Sequence, residues 1–199
     1  MATVIATSEI LNLTPTPRLL TAADLVAMPD ELPSGPAKYE LEDGRLVVMP
    51  LPGGIHGAVN ANIVFQLKLQ GDQRGYGKTL AETGVILRRS PDRVVGPDSC
   101  FIAAASLPLE YSPEGFLTAV PALIIEVRSK NDTTAELERK AGEYLAAGAQ
   151  LVWILDPIRA AAVVYQAGHP PKLLALSEDL TAEGIIPGFR LNVGDVLRT

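Results

Sequence analysis

Cysteine is almost missing from this chain: Cys100 stands alone among 199 residues. One thiol excludes an intrachain disulfide framework and any cysteine-rich zinc site. Histidine is nearly as scarce, and His56 and His169 lie too far apart in the chain to make a zinc site together. Long hydrophobic runs are also missing. The longest, around 119–127 and 145–155, fall well short of the ~20 residues a membrane span needs, and both contain polar breaks. No basic segment precedes an apolar block near the N-terminus, so no signal peptide is expected. A lone cysteine fits a reducing compartment, and a cytoplasmic protein is the expectation. Positive charge is in deficit, with 17 Lys+Arg against 23 Asp+Glu and a net charge of -6. That balance argues against a protein that coats nucleic acid non-specifically. A local basic groove stays open, because net charge does not say where charges sit.

What remains is an ordinary globular composition, 47% hydrophobic and 20% charged, which rules out disorder of the whole chain. A domain of this length buries roughly 70% of the surface its unfolded chain exposes and needs no disulfide or metal to fold. Residues 1–20 mix Thr, Pro and scattered apolar side chains without a period and read as an arm. Residues 21–199 contain no repeat and no linker, and read as one domain.

Periodicity sets out the elements. Thr21 caps a short helix with Asp24 at its third position, and Pro29 ends it. Tyr39–Leu41 and Arg45–Met49 flank Asp43-Gly44 as a β-hairpin. His56–Leu69 is a helix with Val59, Ile63 and Leu67 near helical spacing, closed by Gly71 and Gly75. Thr79–Arg89 and Val94–Ala103 read as two strands joined by a turn at Ser90–Arg93, the second broken at Gly96-Pro97. Leu107–Thr118 reads as loop. Ala122–Val127 and Leu151–Leu155 read as buried strands flanking a helix over Asp132–Ala147 that Gly148 stops. Ala161–Gln166 and Leu173–Leu176 form a second hairpin, and Gly184–Leu197 closes the chain. The expected class is mixed α/β: a central mixed β-sheet flanked by helices, with additional β-hairpins.

Two carboxylates fall in apolar strands: Asp98 after Pro97, and Glu126 in Ala122-Leu-Ile-Ile-Glu-Val127. A carboxylate there is costly unless paired or metal-bound. Two of them on neighbouring strands make a hard-oxygen site suited to Mg²⁺ or Mn²⁺. The alternative is that each is solvated at a strand end or paired with an arginine. Lys140 borders the apolar face of its helix and could reach toward Glu126. It could equally be an exposed lysine paired with Glu136. Trp153 and Cys100 read as core. His56 opens a helix and reads as a cap or as a wall of the cleft before it reads as a catalyst. Arg88-Arg89, Arg93 and Arg128 with Lys130 are the only basic clusters. They either line one face and track a phosphate backbone or are scattered solvated charge.

Taken in order, Pro97-Asp98, Glu126-Val127-Arg128 and Lys140 resemble the PD-(D/E)xK nuclease signature with its lysine moved onto the following helix. The wider set adds Tyr39-Glu40-Leu-Glu-Asp-Gly-Arg45, His56, Tyr144, Gly148, Trp153-Ile-Leu-Asp-Pro157 and Ile186-Pro-Gly-Phe189. This order is similar to the Uma-two (Uma2) family of bacterial restriction-endonuclease-like proteins, over nearly the whole chain from Leu20 to Leu197. The resemblance implies a restriction-endonuclease-like core. It implies a Mg²⁺-dependent endonuclease acting on DNA, with Mn²⁺ as a substitute. Asp98 and Glu126, with the main-chain carbonyl of Val127, would hold the metal, and Lys140 would assist. Glu40 matches the acidic residue of the early Tyr-Glu-Leu segment, and His56 and Arg128 would line the cleft. The sequence departs from the family at Arg128 and Lys130, at Glu136 for aspartate, and at Leu151-Val152 for a Glu-Tyr pair. The competing expectation is a nuclease-fold interaction or nucleic-acid-binding module with weak or no activity. A homodimer is expected, because cutting both strands of a duplex needs two sites.

Overall fold

The structure, a computed structural model, describes residues 18–29, 31–33, 35–49 and 51–199. The expected arm therefore lies outside the described residues except for Arg18, Leu19 and Leu20. In chain order the elements are α1 (Ala22–Val26), β1 (Glu31–Leu32), β2 (Gly35–Pro36), β3 (Lys38–Glu42), β4 (Arg45–Met49), α2 (Gly54–Gln70), β5 (Gly77–Ala81), β6 (Val85–Arg88), β7 (Arg93–Val95) and β8 (Ser99–Ala103). They continue with β9 (Leu123–Val127), α3 (Thr134–Ala147), β10 (Leu151–Asp156), β11 (Ala161–Gln166), β12 (Lys172–Ala175), β13 (Asp179–Thr181), β14 (Arg190–Asn192) and α4 (Val193–Val196). None of the described helices is long and apolar enough to cross a membrane.

Six strands form the main sheet in the order β12-β11-β10-β9-β8-β5. Only β9 and β10 pair in parallel, with Leu123 opposite Leu151. A parallel pair needs a crossover, and α3 supplies it. All five residues of β9 are buried, as expected of a central strand covered on both faces. Alternation then divides them. Leu123, Ile125 and Val127 pack with Trp153, Phe189 and the Val59–Ile63–Leu67 stripe of α2. Ile124 packs with Val152, Ile154 and the Leu137–Ala141–Tyr144 stripe of α3. Glu126 shares the α3 face with Ile124, because side chains two apart on a strand point the same way.

Helix ends follow the local chemistry. Thr133 caps α3 through a reciprocal pair: its hydroxyl accepts the Glu136 N–H, and the Glu136 carboxylate accepts the Thr133 N–H. The helix therefore starts two residues later than expected. Asp132 instead accepts the Ser129 N–H at 2.6 Å and closes the loop after β9. Gly148 ends α3 in the left-handed region at φ 117°, where a side chain would be strained.

The strand expected over 79–89 is broken in two, and the break expected at Gly96-Pro97 separates two strands that belong to different sheets. β5 and β8 belong to the main sheet, whereas β6 and β7 join the hairpin β3–β4 in a second sheet of order β4-β3-β7-β6. The chain leaves the main sheet through Glu82–Gly84 and returns through Gly96–Asp98. Gly84 is required there, because a Cβ would sit 2.4 Å from the Phe116 ring. Period-2 alternation continues through such a switch, so it does not show in the pattern. The 107–118 segment is likewise more than a loop, since Leu117 is fully buried and bridges both Val85 and Tyr111.

Two glycine substitutions test this packing in opposite directions. At Gly77 a Cβ would lie 2.0 Å from the Ile102 carbonyl oxygen. Gly77→Ala is expected to lower unfolding free energy by at least about 2 kcal/mol. At Gly142, inside α3, a Cβ meets nothing within 4 Å, so Gly142→Ala is expected to raise it by about 0.5–1 kcal/mol. Urea denaturation midpoints read both, and equal effects at the two sites would contradict the packing described.

Candidate active site

A cleft of 710 Å³ opens between the second sheet, the first turn of α2, the end of β9 and α3. Glu40, His56, Asp98, Glu126 and Lys140 all line it. The structure thus brings together residues that lie up to a hundred positions apart in the chain. Asp98 gets there because the return crossover ends one residue before β8, and Ser99 opposite Ile125 sets it across from Glu126.

Glu126 is 6% exposed and stands on an otherwise apolar strand face. Burial pushes its carboxyl up to about 7, because desolvation penalises the charged form. Lys140 pulls the other way, with Nζ 4.0 Å from Oε1, while the charges of Asp98 and Glu40 push it further up. The Tyr144 hydroxyl donates to Glu126 Oε1 at 2.5 Å. Burial holds the Tyr144 phenol well above its ordinary value, so it keeps its proton and remains a donor.

Asp98 is held on three sides. Its Oδ2 accepts the Val127 N–H at 2.7 Å and lies 3.0 Å from His56 Nε2. Its main-chain carbonyl accepts from Asn60 Nδ2 at 3.0 Å. The hydrogen bond to Asp98 raises the His56 pKa against the opposing effect of burial. His56 and Asn60 are one helical turn apart, which puts both over the same strand end. Sequence reasoning missed Asn60, although its position four residues after His56, facing inward beside Val59 and Ile63, was the available signal.

Glu40 contacts both a buried arginine, Arg93, and Lys140. Arg93 contacts Glu40 Oε2 at 3.4 Å, donates to the Leu41 carbonyl at 2.9 Å, and binds Glu143 through Nε and Nη2 at 3.0 and 2.9 Å. Glu40 Oε1 accepts the Gly96 N–H and lies 3.6 Å from Lys140 Nζ. Lys140 is therefore neither exposed nor paired with Glu136. The Glu126 charge raises its pKa above the ordinary lysine value despite burial, so it stays an ammonium at neutral pH. Glu143 was also missed, because on sequence alone it is one of several acids on α3.

The basic clusters do not form a phosphate track. Arg88 pairs with Asp43, Arg89 with Asp92 and Glu114, and Arg93 is internal. Arg128 lines the cleft, but its guanidinium is engaged by Asp156 at 3.1 Å, the Thr134 hydroxyl and the Asp132 carbonyl. It braces the loop between β9 and α3. Trp153 and Cys100 are core, as expected, and burial pushes the Cys100 thiol up to about 12.

Among the described residues, no group of three or more His, Cys, Asp or Glu is arranged to hold a metal unaided. The donors nevertheless fit a hard divalent cation. Asp98 spends Oδ2 on Val127 and His56, and Glu126 spends Oε1 on Tyr144. Asp98 Oδ1 and Glu126 Oε2 accept no hydrogen bond among the described residues. Mg²⁺ commonly takes one or two carboxylates and fills its remaining positions with water and substrate phosphate.

These features define a nuclease-like α/β fold. A solved structure from Anabaena variabilis ATCC 29413, described as a putative nuclease belonging to DUF820, aligns with a TM-score of 0.73 over 89% of this chain and 97% of that one, at 17% identity. The Uma2 family, described as "Putative restriction endonuclease", matches residues 23–194, and the chain belongs to it. No curated protein matches the chain in sequence.

The burial of Glu126 carries a pH signature in chelator-treated protein. A carboxyl raised from 4.5 to about 7 in the folded state contributes stability below about 4.5 that is lost as the pH rises through 7. The loss amounts to about 3 kcal/mol. Glu126→Gln removes that ionisation and keeps an oxygen for Tyr144. Its unfolding free energy is expected to exceed that of wild type at pH 8 and to match it at pH 4.5. A variant less stable at pH 8 would contradict the assignment.

Proposed function

We propose that this chain is a Mg²⁺-dependent endonuclease that hydrolyses phosphodiester bonds of DNA. The observation that carries the reading is the pair of facing carboxylates, Asp98 and buried Glu126, each with one free oxygen, beside the ammonium of Lys140. Asp98 Oδ1 and Glu126 Oε2, with the Val127 carbonyl, would hold the metal. Mn²⁺ would serve in its place. The metal when bound would polarise a phosphoryl oxygen and acidify water.

The geometry supports the following roles for the protein's own residues. Water attacks phosphorus and gives up a proton to bulk solvent, the P–O bond to the leaving oxygen breaks, and that oxygen takes up a proton from solvent, so the step balances. Lys140, kept protonated by Glu126 and Glu40, donates hydrogen bonds to the attacking water and to the charge that builds on phosphate. It does not act as the base. Glu40 orients Lys140, with Arg93 and the Gly96 N–H fixing the Glu40 carboxylate. His56 and Asn60 hold Asp98 in place, and Tyr144 holds Glu126.

Asp98→Asn and Glu126→Gln are each expected to lower Mg²⁺-dependent cleavage at least about 1000-fold, and Lys140→Ala about 100- to 1000-fold. The assay offers supercoiled plasmid, linear duplex, single strands and RNA. A second measurement reads metal directly. Saturating Mn²⁺ is expected to stabilise wild type by about 2.7 kcal/mol at a hundredfold excess over its Kd and to leave Asp98→Asn unmoved. The competing reading, an inactive interaction module, draws on how many cationic side chains are consumed by internal ion pairs. Absence of both cleavage and the Mn²⁺ shift would establish it.

A further inference from the structure

The charge around the cleft is unlike that of a protein that grips duplex DNA. Among the described residues, every lysine and arginine except Arg45, Arg74, Lys78 and Lys130 lies within 4.0 Å of a carboxylate. Of those four, Lys130 alone lines the cleft. Proteins that track a duplex use several phosphate contacts, and those contacts supply most of the sequence-independent affinity. This cleft has almost none to offer.

Apolar surface stands where cations would be expected. Leu51, Ile55 and Ile158 line the cleft and are 56%, 60% and 62% exposed. Leu51 and Ile55 lie just before and within the first turn of α2. Ile158 comes from the turn after β10, across the strand order. That turn is held firmly, because Asp156 Oδ1 accepts the N–H groups of both Ile158 and Arg159 while Oδ2 binds Arg128. The candidate catalytic carboxylates lie below this rim, with Glu126 6% exposed. A duplex is stiff and carries its phosphates on a convex surface. A recessed site with Lys130, among the described residues, as its one unpaired rim cation draws in a phosphate more readily from a flexible strand than from a duplex.

We propose that the cleft takes an unpaired stretch of DNA, its bases resting on Leu51, Ile55 and Ile158 while one phosphate descends to Asp98, Glu126 and Lys140. This rests on the nuclease reading above and adds the substrate class. Exposed bases offer an apolar face to such a rim, a contact that tolerates any sequence. A single strand also needs one cut, so the substrate does not require a second site from a homodimer.

The test uses the wild-type chain in Ca²⁺, a divalent cation that oxygen ligands also bind and that replaces Mg²⁺ so that DNA is bound without being cut. Fluorescence anisotropy compares a labelled 20-nucleotide thymidine strand, a blunt duplex of the same length and a duplex with a 3′ single-stranded overhang. The unpaired strand and the overhang are expected to bind at least tenfold more tightly than the blunt duplex. The slope of log Kd against log salt is expected to stay below about 2, the value for one or two phosphate contacts. Adding Ile55→Ala or Ile158→Ala is expected to weaken strand binding roughly three- to tenfold. Blunt duplex bound as tightly as the strand, a slope of about 5 or more, or unchanged binding in both alanine variants would overturn the inference. Wild-type cleavage of the same three DNAs is scored separately. Cutting of the blunt duplex at the rate of the single strand would overturn this inference and leave the nuclease reading standing. Cutting of none of them would overturn the nuclease reading itself.

Discussion

The site turns on one costly placement: the carboxylate of Glu126 on the apolar face of a central strand. β9 must be apolar on both faces to be covered by α2 and α3. A carboxylate in that strand loses its hydration and has to be compensated locally. The compensation comes from α3, the crossover that the parallel β9–β10 pair demands. One face of that helix, over two turns, supplies Lys140 and Tyr144 to Glu126. Glu143, one residue from Tyr144, supplies the acid for Arg93. Lys140 in turn contacts Glu40, so the charge brought in to face one buried acid is itself shared with a second.

The second requirement is that Asp98 face Glu126, and the sheet switch provides this. β6 and β7 turn out of the main sheet, and the chain returns through Gly96-Pro97 in line with β8. Glu40, on the central strand of the second sheet, accepts the Gly96 N–H and so ties the return point to the hairpin. Arg93 sits at the junction of the second sheet with α3 and bonds to both. The early Tyr-Glu-Leu segment thus reaches the site by way of a small sheet whose position depends on a buried arginine.

Much of this was legible in the sequence. The apolar run over Ala122–Val127, the helix that Gly148 stops, and the Asp-Gly hairpin each carry a local signal strong enough to survive tertiary context. The acids themselves stood out because they interrupt apolar strands. The sheet switch was not legible, because alternation has the same period in both sheets and only the glycines marked the break. The role of the arginines was not legible either. Arg88, Arg89, Arg93 and Arg128 form apparent clusters by number, yet each is committed to a different carboxylate brought in by the fold. Pairings across 50 residues, such as Arg93 with Glu143, have no periodic trace.

The same ion pairs bear on how the proposed reaction would begin. Glu40, Asp98 and Glu126 face a single free ammonium, since Arg93 is divided between Glu40 and Glu143. A phosphate approaching this cluster meets more negative than positive charge. Protonation of Glu126 relieves part of the repulsion, but it also removes the carboxylate that the proposed chemistry needs. A divalent cation between Asp98 and Glu126 resolves both problems, because it favours the ionised carboxylate and reverses the sign of the local field. Metal and substrate binding are then coupled by electrostatics, and each should strengthen the other by the same factor. Burial of the acids would strengthen that coupling, because buried charges interact far more strongly than charges in water. An acidic protein with most of its described cations already paired could hold a nucleic acid under that condition: the proposed metal would supply charge at the reacting phosphate, and uncharged contacts would add to it.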